Sequence, residues 1–521
     1  MVFIPKDLEY HLKKSIKKFN TTNMKSKLIF SITFLVGVIF TYSQDKILME
    51  ASKSIKIDEL KEKMYAYSSD EFDGRGTPSE GQKLAVDYLV NHYKNLGIKS
   101  VKTDTYLQTV PLQLEEKPDI SLNISDQKFI YYRDYVSYLN GPDREYKSED
   151  IIFVGYGIDD PNYSDYKNID VKGKVVVAIG GEPKDKNDEY FINGKNKSKW
   201  SLLRQEIDNK KRVARSNGAL AIIIIDNYLH SRYSGRYRNS DMGFAEKRML
   251  LSNNEENNLQ VLLFPEKFKN FLVKDNLTFN MSFKKNIKKI SADNVAAIIE
   301  GSEFPDEYVI LTAHLDHVLP KNGKIYNGAD DNGSGTVAML EIAESFALAK
   351  QMGKELKRSI VFLHVTAEER GLLGSKYYTD YDPLVPIKQT IANLNMDMMG
   401  RADPERGVRN LNYVYIIGSD VLSDDLHDIN IDANKYSNLE LDFRFNGIDH
   451  PDQFYYRSDH FHFIKNNIPA IFYFSGVHED YHQPTDTAEK ILYEPYKRRV
   501  KLIFHTAWEL ANRDDKISLN K

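Results

Sequence analysis

From about residue 290 onward, short apolar runs alternate with stretches whose apolar positions recur at helical spacing. Asn294–Ile299, Tyr308–Thr312, Ser359–Val365, Ile391–Met396 and Ile468–Phe474 are too short for helices and rich in Val, Ile, Leu and Phe. They predict strands buried on both faces. A helix is predicted to begin near Ser334, with Val337, Leu340, Ala343 and Ala347 on one face, and a last helix to span Tyr493–Asn512. Strand–helix alternation of this kind predicts an α/β fold: a mixed, largely parallel sheet sandwiched by helices.

The chain before this region reads differently. Residues 55–98 have helical periodicity, with Leu60 and Met64, then Leu84, Tyr88, Leu89, Tyr93 and Leu96, around a loop at Ser69–Thr77. Residues 106–140 read as strands and turns. From about 148 to 270 the texture changes again. Ile151–Gly157 and Val171–Ile179 read as strand segments, Arg212–Gly218 as a helix end, and Ala219–Ile225 as a buried strand. A polar loop, Glu182–Asn209, separates them, and loops of that length are usually functional or mobile. The expected organisation is an N-terminal extension at 1–44, a first part of the main domain at 45–147, a β-rich insert at 148–270, and the catalytic domain at 271–521.

A chain of 521 residues suits two or three such units, and 71 Lys+Arg against 75 Asp+Glu leave no basic footprint for nucleic acid. Lys25 and Lys27, the apolar run Leu28–Phe40 and the following Ser43-Gln44 predict an export signal. The run is shorter than the roughly 20 residues a membrane span needs, so no stable span is expected once the signal is removed. The expected location is periplasmic or extracellular. Met24 stands just before the signal, which makes residues 1–23 a candidate mis-assigned start, testable by N-terminal sequencing of the precursor. Cysteine is absent, so the fold has no disulfide and rests on packing and bound metal.

The chemistry lies at strand ends. Thr312-Ala-His314-Leu-Asp316 closes one apolar strand, and residues two apart share a strand face, so Asp316 is expected to accept the second ring N–H of His314. Asn327–Gly335 is a Gly-rich acidic turn leading into a helix, where Asp331 could bridge two metals and Ser334 could simply cap the helix. Glu368-Glu369 follows another buried strand, the position at which open α/β sheets place ligand crevices. Asp397, flanked by methionines, is costly to bury unless it binds a metal or pairs, with Arg401 as the alternative partner. His482 lies in a loop after the last strand, among His450, His460, His462 and His478, and position alone does not single it out. Two imidazoles and three carboxylates suit two zinc ions, and an adjacent free carboxylate suits a general base.

In this order the segments H-x-D, G-A-D-D-N-G-S-G, E-E-x-G-L-x-G-S, N-x-D-M-x-G and Y-H-x-P-x-D-T resemble the M28 family of co-catalytic zinc peptidases. Asp70–Gly76 resembles that family's N-terminal helical segment. The resemblance implies a zinc-exopeptidase fold and two Zn2+ ions: His314 and Asp397 on one, Glu369 and His482 on the other, Asp331 bridging. It implies Glu368 as the general base for the attacking water and Asp316 as an orienter of His314. It also places Arg457 near the substrate and Tyr481 at the substrate carbonyl. Residues 148–270 resemble a protease-associated (PA) domain, through Gly155-Tyr-Gly157, Val171–Lys174 and Asn217-Gly-Ala219. The expected function is an exported aminopeptidase acting on peptides. Carboxypeptidase action, a glutaminyl-cyclase-like transferase and a non-catalytic receptor are the alternatives, and the oligomeric state is left open.

Overall fold

The computed structural model describes residues 46–520 other than 140, 203–204, 242–247, 253–258, 408–409 and 449. The expected signal segment therefore lies outside the described residues. After a helical stretch at 46–54 come helices α1 (Ile57–Tyr67) and α2 (Glu80–Asn95), the second capped by Ser79 Oγ accepting from Gln82 N at 3.1 Å. The buried face of α2 is Ala85, Val86, Leu89 and Tyr93, whereas Leu84, expected on that face, is 43% exposed. It stands roughly 140° around the helix from Leu89, beyond the reach of the apolar stripe.

Strand β1 (Leu107–Ile124) enters a twelve-stranded sheet, after which the chain builds a second sheet from β2 (Val136–Leu139), β3 (Ile151–Phe153), β4 (Val175–Ile179) and β5 (Ala221–Ile225). β6 (Arg248–Leu251) returns to pair with β1, and β7 (Gln260–Phe264) completes the second sheet in the order β2-β7-β5-β4-β3. Its first strand precedes residue 148, and its pairings are parallel except β2 with β7. All five residues of β5 and of β7 are buried, and each such Ile or Leu contributes roughly 1.5–3 kcal/mol. Helix α3 (Glu206–Ser216) begins inside the stretch read as loop, because Ile207, Val213 and Ala214 share a face that packs on this sheet.

β8 (Phe279–Ile299) then runs antiparallel along nearly the whole of β1, from Phe279↔Ile124 to Val295↔Leu107, with one register shift between Lys284 and Asn286. β9 (Phe304–His314), β10 (Arg358–Val365), β11 (Thr390–Met396), β12 (Tyr413–Ile417), β13 (Glu440–Asp442) and β14 (Ala470–Phe474) continue the large sheet, to which the short strands Lys99–Ser100, Gln127–Phe129 and Arg144–Ser148 also pair. Its main path is β6-β1-β8-β10-β9-β11-β14-β12-β13, and the central strands β10-β9-β11-β14 are parallel. Helices α1, α2, α4 (Gly335–Gln351), α6 (Asp424–Ala433) and α8 (Tyr493–Asn512) cover one face. Tyr378 of α5 (Leu373–Asp380) and Phe463 of α7 (His460–Lys465) pack on the other. α4 is buried on almost every side, not on one face alone, since α1 and α8 close over it. Among the described residues no helix is long and apolar enough to cross a membrane.

Candidate metal centre

The parallel strands β9, β10, β11 and β14 end on one edge of the sheet, and each delivers a polar side chain at its end or from the segment that follows it. His314 is the final residue of β9, Glu368 and Glu369 follow β10, and Asp397 follows β11. His482 comes from the loop after β14. Ala367, Met398 and His482 all have φ between +51° and +54°, a left-handed conformation that costs a non-glycine residue energy. Such turns sit directly beside Glu368 and Asp397 and at His482 itself, so the strain aims donors.

Asp331 is placed by a stapled loop. Asp486 accepts from Asp330 N and Asp331 N at 3.1 Å, and Asn332 bridges Gly335 N (2.8 Å) to Met396 O (2.9 Å). It is Asn332 rather than Ser334 that caps α4, and Ser334 Oγ instead accepts from Met399 N at 2.8 Å. Gly335 is needed here, because a Cβ would stand 2.2 Å from Met396 O. From the other side the fully buried Arg75 donates to the carbonyls of Leu315 (3.3 Å), Tyr67 (3.0 Å), Asn327 (2.7 Å) and Gly328 (2.9 Å). The Asp70–Gly76 segment thus clamps both the β9 end and the metal loop.

Two donor groups share Asp331. In one, His314 Nε2 lies 3.4 Å from Asp331 Oδ1 and 3.3 Å from Asp397 Oδ1, with Glu368 Oε2 at 4.0 Å. In the other, His482 Nε2 lies 3.0 Å from both Asp331 Oδ2 and Glu369 Oε1. His317, which the sequence reading passed over, joins this second group with Nδ1 at 2.9 Å from Glu369 Oε1. The only signal for it was a second histidine three residues after His314. Asp397 does not pair with Arg401, which binds Asp480 at 3.0 Å; its Oδ2 accepts from Ser458 Oγ at 2.7 Å instead.

Asp316 sits beside His314, but the expected contact needs correcting. His314 Nδ1 is 2.9 Å from the main-chain oxygen of Asp316, while its carboxylate accepts from Glu368 N at 3.1 Å. β9 ends at His314, so the two-residue alternation that would have aligned the side chains stops there. Arg457 and Tyr481 line the cleft over the donors together with Met398, Phe454, Phe472 and Val477. The rings of Tyr481 and His482 also meet, tilted by 32° with centroids 4.0 Å apart. Asp459 lies buried behind them at the start of α7, with no hydrogen bond to either carboxylate oxygen among the described residues.

Electrostatics follow from this crowding. Burial pushes Asp316 up to about 7 and Asp459 up to about 6, and it raises Glu368 well above the usual carboxylate range, with Glu369, Asp459 and Asp397 adding repulsion. His314 is held well above its ordinary value by Asp397, Glu368 and Asp331, against the effect of burial. His482 is raised to about 10 by Asp331 and Glu369, again against burial. The site attracts positive charge and holds protons until a cation displaces them. Glu369 Oε1, Asp397 Oδ1 and His482 Nε2 make no hydrogen bond among the described residues although other donors lie close. Imidazole and carboxylate atoms that converge without pairing fit a borderline cation such as zinc.

Residues 294–507 match the sequence model of Peptidase family M28. A probable leucine aminopeptidase of Trichophyton verrucosum is 30% identical over 229 residues, 42% of this chain and 57% of that protein. Probable glutamate carboxypeptidase AMP1 of Arabidopsis thaliana is 36% identical over 121 residues, 23% of this chain and 16% of that protein. The chain thus spans 16% and 57% of the lengths of these two relatives. Among solved structures, an aminopeptidase from Aneurinibacillus sp. strain AM-1 matches in fold with a TM-score of 0.50 at 18% identity, covering 91% of this chain and 98% of that one.

Proposed function

Residues 294–507 form a Peptidase family M28 domain, and from that domain and the donor geometry we propose an exported two-zinc aminopeptidase. The observation that carries the reading is two adjacent donor groups, His317, Asp331, Glu369 and His482 in one and His314, Glu368 and Asp397 in the other, with Asp331 Oδ1 only 3.4 Å from His314 Nε2 and so within reach of both. His314, Asp331 and Asp397 would hold one ion, and Asp331, Glu369 and His482 the other. Zinc, when bound, supplies Lewis-acid activation of water and of the scissile carbonyl.

The chain's own residues do the rest. Glu368 Oε2 takes a proton from the attacking water and passes it to the leaving amine, a role its raised proton affinity suits. Tyr481 keeps its phenol proton, held well above the ordinary value by burial and the nearby carboxylates, and can donate to the developing oxyanion. Glu368 and Asp397 favour the ammonium of a free N-terminus. Met398, Phe454, Phe472, Phe474 and Val477 give the cleft an apolar wall, which suits a large apolar first side chain. Residues 148–270 would act as a PA-like cover that restricts the length of peptide admitted.

Arg457 supports a second reading. It is the one Lys or Arg among the described residues that line the cleft and could receive a C-terminal carboxylate. Hydrolysis of free and N-acetylated aminoacyl anilides, set against peptides with free or amidated C-termini, separates the two. Cleavage that requires a free amine and ignores C-terminal amidation supports the aminopeptidase. The reverse pattern assigns carboxypeptidase action and leaves the metal centre standing.

A further inference from the structure

His317 lies just beyond the end of β9, and both its ring nitrogens are shut away from solvent. Its Nδ1 is 2.9 Å from Glu369 Oε1 and 3.7 Å from Asp331 Oδ2, and its ring meets that of His482 at 80° with centroids 5.4 Å apart. Neither ring nitrogen of His317 makes a hydrogen bond among the described residues, and the same is true of Glu369 Oε1 and His482 Nε2. Close approach without hydrogen-bond alignment means that these atoms do not face one another. The donor atoms of His317, Asp331, Glu369 and His482 all lie within 4.8 Å of one another.

The ring is also held in place. It is wedged against Gly328, which has φ +54° and where a Cβ would stand 2.5 Å from His317 Cγ. Gly328 O in turn accepts from Arg75 Nη2 at 2.9 Å. The clamp that shapes the metal loop therefore also fixes this imidazole.

Resting on the two-zinc reading above, we propose that His317 Nδ1 is a fourth protein ligand to the ion held by Asp331, Glu369 and His482. The two positions would then be unequal. Zinc–ligand bonds of 2.0–2.1 Å place tetrahedral donors about 3.3 Å apart, and the contacts of this group run from 2.9 to 3.7 Å. Four protein donors close a zinc shell, whereas three leave a position open. On the other side Glu368 converges with His314 and Asp397, and Asp331 approaches at 3.4 Å; with Glu368 reserved as the base, 4.0 Å from His314 Nε2, three ligands remain there. The open position and the general base thus coincide, and His317 assigns the other ion to holding Asp331 and the substrate end in place. The competing role for His317 is that of a positioning residue whose N–H orients Glu369.

Anomalous diffraction from zinc-soaked crystals of the unaltered protein decides between them without a substitution. Two ions are expected, one of them bonded to His317 Nδ1 at about 2.1 Å. In solution, titration of the metal-free protein with zinc against a chelator should show one of two sites weakened about 100-fold or more in His317→Ala, a loss at or beyond the upper end of what orienting partners cause. His317→Asn, which keeps an N–H near the place of Nδ1, should not restore it. Two ions with neither bonded to Nδ1, or two sites of unaltered affinity in His317→Asn, would overturn the proposal while the two-zinc reading survives. A protein that binds no zinc would remove both.

Discussion

At the end of the second sheet, Lys210 is fully buried, and it and the carboxylates of Glu206 and Glu182 close on partners. Its Nζ lies 3.0 Å from Glu206 Oε1 and donates to Ile179 O and Gly181 O at 2.7 Å. Glu182 beside it accepts from Ser198 N at 2.8 Å and Ser198 Oγ at 2.7 Å. At the corresponding edge of the large sheet, Asp331, Glu368, Glu369 and Asp397 crowd together, and Glu369 Oε1, Asp397 Oδ1 and His482 Nε2 are left unbonded among the described residues. Both edges are built the same way, from buried apolar parallel strands. Burial alone therefore does not mark a site. A charge cluster that satisfies itself is structural, and one whose donors converge on nothing is shaped for a ligand.

Removing the ligand is the strongest way to break this contrast. Chelation should abolish peptide hydrolysis, and zinc should restore it. Amide exchange should accelerate in 327–335 and 478–486 while β4, β5 and β7 stay protected. Full activity in metal-stripped protein would sink the reading. Next in size, Glu368→Gln should lower kcat by about 10²–10⁴ with metal content unchanged, because it removes the proton acceptor and keeps the shape. Glu369→Gln should instead weaken metal binding. Loss of metal from the first variant and not the second would mean that the two glutamates have exchanged roles.

The closed edge should respond the other way. Lys210→Met leaves Glu206 buried and unpaired, and unfolding of that region should become easier by about 3–5 kcal/mol, read from denaturant melts. Turnover of single-residue substrates should change little. A fall in kcat comparable to that of Glu368→Gln would show that the two edges are not independent.

The smallest effect concerns acid. His364 in β10 is fully buried, 2.9 Å from Tyr93 Oη, and burial pushes it down to about 3. Below the ordinary value of about 6.5 the unfolded chain takes up a proton that the folded chain refuses. Its contribution to stability is therefore complete above about 6.5 and declines as pH falls toward 3. The Tm of the wild type should drop more steeply between pH 7 and pH 4 than that of His364→Gln. Parallel slopes would exclude this histidine as a source of acid sensitivity.

The strands and the polar residues clustered at their ends were legible because each motif is local: a run of Val, Ile or Phe and the polar residue that terminates it. What the sequence hid lay just past those ends. Once β9 stops at His314, the alternation that predicted the Asp316 carboxylate contact no longer applies, and the turn instead brings His317 to the donors. Nothing local in the sequence marks Asp459, two residues after Arg457, because its burial beside the centre depends on α7 packing under β14, a long-range fact. The start of α3 within a polar stretch was masked because its stabilising pair, Glu206 with Lys210, looks in sequence like ordinary surface charge.

The long pairing of β1 with β8 has a mechanical consequence. An 18-residue strand extends about 60 Å, and this ribbon is anchored at both ends, by Leu122, Ile124, Phe279 and Met281 in the core of the second sheet and by Val295, Ala297 and Ile299 in that of the first. Two flexible tethers would let the second sheet swing freely. A continuous hydrogen-bonded ribbon instead behaves as a torsion bar, storing work when it is twisted and returning it on release. Its most compliant point is the register shift between Lys284 and Asn286, where the ladder is interrupted. Excursions of the second sheet would then be small and would bend the ribbon first at that interruption.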